Sequence, residues 1–410
     1  MSTEPTGVLQ GIRVLDLTRM LAGPFCTMLL ADHGAEVIKI ESPAGDPTRL
    51  AGPFASNGGA KALGGFFQSV NRNKKSVVLD LRQQEGVAIL KKLVETADVV
   101  VENFRNGVME EMGLSFDELK ACNPTLVFAS ISGFGDARNG ESPYANWPAF
   151  DPIAQAVGGL VSMTGPRSDM PTRVGSSLGD IVPGMYAAFG ILAALHRAKQ
   201  SGEAQHVDVA MADSILSICE SLVYNYSYAG KSSSPAGNHH HLAAPAGLFK
   251  VKDGWVSIAA MQDAHWDILC QQLNMNDLHT DPRFSDALKR KEHLEALEEG
   301  MARYLLQLTK FEFMERLGGL LPVAPVQDAR EIFNDPHFAA RNMLIEVEEP
   351  GCKDNKVVAG TPVKFSETAF GGFKRAPLKG EHTQQVLSEV GFSESDIGHL
   401  VNDSTIVCYQ

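Results

Sequence analysis

VLDLTRMLAGPFCTMLLADHGAEVIKIE, residues 14–41, decides the fold. Residues 13–17 form a short apolar run of the kind a sheet buries, 24–33 carry helical spacing closed by Gly34, and 36–40 read as a strand again. A strand, a helix and a strand in succession make a β-α-β unit, whose strands run parallel because the helix carries the chain back. The alternation continues outward, with strands over 76–81, 99–101 and 126–131 and helices over 84–96 and 116–121. An α/β class follows, with a mainly parallel, Rossmann-like sheet covered on both faces.

Further along, the pattern predicts a long apolar helix over about 181–198, a strand over 206–210 and a helix from Asp213 towards Tyr228. Residues 231–245, rich in Ser, Gly, Pro, Ala and His, read as a connecting loop. Beyond it, strands over 248–251 and 255–259 flank Asp253-Gly254, a hairpin signal, and helices follow over 264–273, 291–306 and 310–317. Strand texture returns over 343–347 and 356–363, with helices near 383–390 and 395–400. The expected organisation is therefore a large α/β domain over 1–225, a linker over 226–246 and a small α+β domain over 247–325. Residues 326–410 then return to the large domain.

Composition narrows the function classes. With 36 Lys and Arg against 49 Asp and Glu, the net charge of −13 opposes a nucleic-acid or anionic-membrane partner, since both need a broad positive surface. The six cysteines lie far apart with no C-x-x-C pair, which fits thiols in a reducing cytoplasm better than a disulfide framework or a zinc knuckle. No secretory leader opens the chain, and no apolar run approaches the roughly 20 residues of a membrane-spanning helix. A soluble cytoplasmic protein is expected.

A parallel sheet raises the question of a dinucleotide, but the turn after the first strand reads Thr18-Arg19-Met20-Leu21-Ala22-Gly23-Pro24 and lacks G-x-G-x-x-G. No P-loop and no G-x-S-x-G elbow occur either. Asn71-Arg72-Asn73-Lys74-Lys75 is a dense basic cluster, fit for an anionic cofactor or for a solvated face. Asp180 lies just ahead of the predicted long helix, where dipole and free N–H groups would keep it ionised; spacing alone reads it as a plain N-cap, and a carboxylate so held is also a competent nucleophile. Gly237-Asn238-His239-His240-His241 is no metal site, because successive side chains of an extended segment point to opposite faces.

Several long segments in order resemble the family III CoA-transferases, which include formyl-CoA, carnitine and succinyl-CoA:dicarboxylate CoA-transferases and α-methylacyl-CoA racemases. They are residues 14–49, SVNRNKKSVVLDLR (69–82), VENFRNGVMEEMGL (101–114), SISGFG (130–135), LGDIVPGMYAAFGILAALH (178–196) and PLKGEHT (377–383). The resemblance implies that Asp180 attacks a donor thioester and that CoA then shuttles through an aspartyl-CoA thioester. CoA would lie along Leu21, Ala22, Leu79, Arg82, Asn103, Phe104, Arg105, Ser132, Gly133 and Gly135, with Arg82 and Arg105 on its phosphates. The backbone of Gly133 and Gly135 would serve as an oxyanion hole.

The resemblance further implies a ring-shaped subunit in an interlocked homodimer, acyl-CoA and a small carboxylic acid as substrates, no permanently bound cofactor, and a substrate pocket reached by Asn238 and His240. The donor would be a short dicarboxylyl-CoA such as succinyl-CoA. Three departures shape the reading. Leu21 replaces the glutamine of formyl-CoA transferases. Glu110 and Glu111 occupy the place of a phosphate-binding arginine. Phe150 stands where the racemases, the alternative reading, carry their second base, a histidine.

Overall fold

Short runs such as Val99–Glu102 and Val127–Ser132 are buried along their whole length, as strands covered on both faces must be. Residues 7–56, 59, 62–241, 243–368 and 372–409 are described by the computed structural model. Six strands run parallel: β1 (Arg13–Asp16), β2 (Glu36–Glu41), β3 (Lys75–Leu79), β4 (Val99–Glu102), β5 (Val127–Ser132) and β6 (Gln205–Ala210). Their order across the sheet is β3-β2-β1-β4-β5-β6, and Ile406–Val407 adds an antiparallel edge beside β3. The chain winds one way from β1 and then resumes on its other side at β4, so the crevice beyond the carboxyl ends of β1 and β4 is the topological switch point.

One face of the sheet carries α1 (Ala22–Asp32) and α2 (Gly65–Asn71). The other carries α3 (Gln84–Val94), then α4 (Val108–Glu111) and α5 (Phe116–Cys122). Leu15, Ile38, Val77, Leu90, Leu93 and Phe128 join this second layer to Val386 and Leu387 of the helix Thr383–Glu389. After β5 come α6 (Asp151–Val157), α7 (Leu160–Met163), α8 (Leu178–Ser201) and, past β6, α9 (Met211–Ile218). By length and composition α8 could cross a membrane, contrary to the expectation that no such run exists. One face of it packs against α1, α6, α9, β5 and β6, and half of its apolar window is buried. A Cβ at Gly184 would lie 2.7 Å from the Ala22 carbonyl oxygen, so only glycine lets α8 cross α1 backbone to backbone.

The basic cluster is neither a solvated run nor an anion cradle. Lys74 Nζ donates 2.9 Å to Asp16 Oδ2 at the end of β1, with both side chains fully buried. Arg72 forks onto buried Asp32, and Lys75 reaches Glu36 on the neighbouring strand. Lys74 also donates to the Pro24 carbonyl, while Lys39 Nζ donates 2.7 Å to the Thr18 carbonyl. Burial alone would raise the Asp16 carboxyl, but Lys74 and Lys39 outweigh it and hold it well below the usual carboxylate range. These cations are spent on the fold.

Contacts group the described residues up to Leu160, Val174–Val223 and those from His337 onward in one unit; Val161–Arg173 and Tyr224–Pro336 form the other. The second unit thus begins inside the expected large domain, takes in 161–173 as well, and runs past 325. It holds β7 (Ala246–Val251), β8 (Gly254–Ala259) and β9 (Val323–Pro325) in one antiparallel sheet over a core that includes Trp266, Phe284 and Phe313. The expected helix over 291–306 is two, Ala287–Glu292 and Leu294–Leu305, the first started by the Asp286 side chain on the Lys289 N–H. In the first unit β10 (Leu344–Val347) pairs with β11 (Lys356–Ala359), which stops where Gly360 and Pro362 intervene.

Removing one member of a buried ion pair strands the other charge. Asp16→Ala should therefore cost about 3–5 kcal/mol in urea unfolding. A loss under about 1 kcal/mol would show that the pair does not hold the first unit together.

Candidate active site

At the switch crevice the loops that follow β1, β4 and β5 enclose a cavity of about 250 Å³. Arg19, Met20, Leu21 and Ala22 come from the first loop, Asn103 to Asn106 from the second, and Ser132 and Gly133 from the third. Asp180, Trp147 and Phe150 also belong to the wall. The first loop is held from beneath, since Asp16 accepts from the Thr18 N–H at 2.9 Å. From the side, the Arg19 N–H donates 2.9 Å to Asn103 Oδ1, and Asn103 Nδ2 donates 2.8 Å to the Arg19 carbonyl. Between them Met20 sits at φ +70°, a left-handed backbone that a side chain rarely adopts outside a constrained site.

Asn103 thus fixes loop geometry from within the cavity wall. Asn106 does the same between the second and third loops, donating 3.0 Å to the carbonyls of Gly135 and Ala145. Arg19 lies 5.5 Å over the Phe104 ring, and both it and Arg105 are exposed at the rim. Two of the expected contacts lie elsewhere. Leu79 and Arg82 line a second cavity of about 310 Å³ that shares Arg19, Pro47 and Phe104 with the first. Arg82 is already forked onto Asp80 at 2.7 and 2.8 Å. Gly135 is not part of the first cavity's wall, and its N–H donates 2.9 Å to Ser132 Oγ, so it is committed within the loop.

The helix carrying Asp180 starts earlier than its sequence suggests. Ser177 is its N-cap residue, which puts Asp180 third in the first turn rather than ahead of the helix. Gly179 weakens a helix reading, and Pro183 has no N–H for the Gly179 carbonyl. The cap comes from another element: Asp151 Oδ1 on α6 accepts from the Gly179 N–H at 2.8 Å. The N–H groups of Asp180 and Ile181 both go to the Ser177 carbonyl. Among the described residues the Asp180 carboxyl accepts no hydrogen bond. It is not held ionised by free N–H groups as expected; burial, and then the negative charge of Asp151, push it up to about 6.

Asn238 and His240 belong to the second unit. There the His240 N–H donates 2.8 Å to the Ala246 carbonyl, and Asn238 accepts from the Leu248 N–H through its own carbonyl. His239 pairs with Glu298, and no group of three His, Cys, Asp or Glu residues able to hold a metal gathers among the described residues. Arg19, Asn106, Trp147 and Asp151 escaped the sequence reading, because each matters through a loop or helix brought near it by the fold.

A carboxyl with a raised pKa favours its neutral form in the folded state. Its ionisation therefore costs nothing below about pH 4, weakens the fold progressively up to about 6, and subtracts a constant amount above that. Asp180→Asn should accordingly stabilise the protein at pH 8 by on the order of 1–3 kcal/mol and leave it unchanged near pH 3.5. Equal stability of the two proteins at pH 8 would refute the raised ionisation.

Comparison with known proteins matches residues 9–383 to the family model described as CoA-transferase family III. The chain is 45% identical to a succinyl-CoA:mesaconate CoA-transferase of Haloarcula marismortui, over 94% of this chain and 97% of that one. It is 37% identical to a succinyl-CoA:D-citramalate CoA-transferase of Chloroflexus aurantiacus, over 97% and 98%. The crystal structure of a CaiB/BaiF family protein from Brucella suis superposes with a TM-score of 0.85 at 33% identity, covering 94% of this chain and all of the other.

Proposed function

This chain belongs to CoA-transferase family III, and on that footing we propose that it moves CoA from a short dicarboxylyl-CoA, such as succinyl-CoA, to a second carboxylic acid, with Asp180 as nucleophile. The observation that carries the reading is one unpaired, partly buried carboxyl on the wall of the switch-point cavity, with two exposed arginines at its rim. The succinyl-CoA donor is suggested by the names of the Haloarcula and Chloroflexus relatives.

The Asp180 carboxylate adds to the acyl carbon of the donor, the C–S bond breaks, and CoA leaves as thiolate from a mixed anhydride. The thiolate attacks the aspartyl carbonyl, releasing the donor acid and leaving CoA on Asp180 as a thioester. The acceptor carboxylate then displaces CoA, and the thiolate takes the new acyl group, restoring the Asp180 carboxylate. Each step exchanges one oxygen or sulfur nucleophile for another, so no proton has to be moved. A carboxyl titrating near 6 is ionised at neutral pH yet more basic than a solvated one, which favours attack.

Leu21, Ala22, Ser132 and Gly133 bound the reacting end in this reading, and Arg19 and Arg105 meet the CoA phosphates as charge-assisted donors. CoA enters as substrate, with no permanently bound cofactor. The epimerase alternative needs a second proton carrier, and the wall offers Phe150 in that place. Two copies pair as the interlocked rings that the resemblance implies, in the cytoplasm. Met185, Phe189 and Leu192 support pairing, because they leave an exposed apolar stripe at helical spacing on α8. Sedimentation should give twice the chain mass, and a monomer at micromolar concentration would end the dimer reading.

Mass spectrometry after incubation with succinyl-CoA should find CoA attached to Asp180, and Asp180→Ala should lose both the adduct and transfer. Arg19→Ala should keep the adduct while raising the KM for acyl-CoA about tenfold. Transfer surviving in Asp180→Ala would overturn the mechanism.

A further inference from the structure

We propose that Asp151 is a positioning residue for this reaction: gripped by Gln155, its carboxylate caps the helix that carries Asp180 and so leaves Asp180 unpaired towards the cavity. The inference rests on Asp180 being the nucleophile. An acid in the first turn of a helix ordinarily finds the turn's orphan N–H groups. Here those groups are already taken, Gly179 by Asp151 Oδ1 at 2.8 Å and Asp180 and Ile181 by the Ser177 carbonyl at 3.1 and 2.9 Å. The two elements meet without clearance, since a Cβ on Gly179 would lie 2.5 Å from the Asp151 carbonyl oxygen.

Gln155, wholly buried, ties this cap to the segment that enters α8. Its Nε2 donates 2.8 Å to Asp151 Oδ1 and 3.3 Å to the Ser176 carbonyl, while its Oε1 accepts from the Val174 N–H at 3.0 Å. Asp151 is itself 6% exposed, so its charge acts on Asp180 with little water between them. Around the cavity the other charged groups are Arg19 and Arg105. Of the elements packed on α8, namely α1, α6, α9, β5 and β6, only α6 brings a charge that acts measurably on Asp180 among the described residues. Asp151 therefore both orients the nucleophile and keeps it basic.

Two substitutions separate these roles. Asp151→Asn retains an oxygen for the Gly179 N–H and removes the charge; Asp151→Ala removes both. The Asp180 carboxyl is read directly by carbon NMR of aspartate-labelled protein, its signal assigned by its loss in Asp180→Asn. In Asp151→Asn it should titrate roughly half a pH unit or more lower, with the acid limb of kcat moving alongside and kcat at pH 8 falling about threefold. In Asp151→Ala kcat should fall roughly tenfold or more while the KM for acyl-CoA stays within about threefold. An unmoved Asp180 titration in the asparagine variant, or full kcat in the alanine variant, overturns the proposal. If the alanine variant does not fold, the asparagine variant decides alone. Exchange surviving in Asp180→Asn would instead remove the nucleophile, and the titration would still report whether Asp151 sets that carboxyl.

Discussion

Lys74 and Asp16, both fully buried and 2.9 Å apart, hold the loop from which the cavity is built. Asp16 closes β1 and accepts from the Thr18 N–H, Thr27 Oγ1 and Lys74. Lys74 reaches in turn to the Pro24 carbonyl at the start of α1. The chain between strand and helix is thereby pinned at both ends, and Arg19 to Ala22 have little choice of path. A buried ion pair seldom stabilises a fold more than well-packed hydrophobic residues would. What it supplies here is specificity: the left-handed Met20 and the mutual hydrogen bonds of Arg19 and Asn103 persist because their anchors cannot move.

The same constraint explains how a doubly wound sheet builds a ligand cavity without a glycine fingerprint. In dinucleotide folds the first turn brings helix N–H groups to a pyrophosphate. Here Pro24 removes one N–H from the first turn of α1, and the turn before it carries no glycine fingerprint to bring backbone against a pyrophosphate. Into the switch crevice comes Asp180, carried by α8 from beyond the strands that form it. In the proposed reading the phosphates meet the rim, where Arg19 stands over Phe104.

Much of the first unit was legible because parallel strands announce themselves as uninterrupted apolar runs. All six were placed within two residues of their ends, and all but β3 within one. What failed did so for lack of local signal. The helices Gly65–Asn71 and Asp151–Val157 are short and depend on tertiary neighbours. The start of α8 was misplaced because its cap lies 28 residues upstream, on another helix. The cluster Asn71 to Lys75 looked available because a sequence shows a cation but not the carboxylate that faces it across the sheet.

Asp151 and Asp180 show how one site divides labour between two acids of the same kind. Both stand near the amino end of α8, where a helix offers more donors than one carboxylate can use. Asp151, buried and hydrogen-bonded by Gly179 and Gln155, takes the donors. Asp180 receives none among the described residues, and burial together with its neighbour's charge raises it to about 6. In the proposed reaction, had Asp180 itself kept the cap, each acyl transfer would first have had to break hydrogen bonds to a helix, which would lower its basicity and hold it out of line with an incoming carbonyl. Moving the cap to a separate helix removes that conflict, at the cost of fold stability lost to an unpaired acid. Under the proposed mechanism that cost falls beside the reacting carbon, where an under-solvated carboxylate gains most by forming a covalent bond.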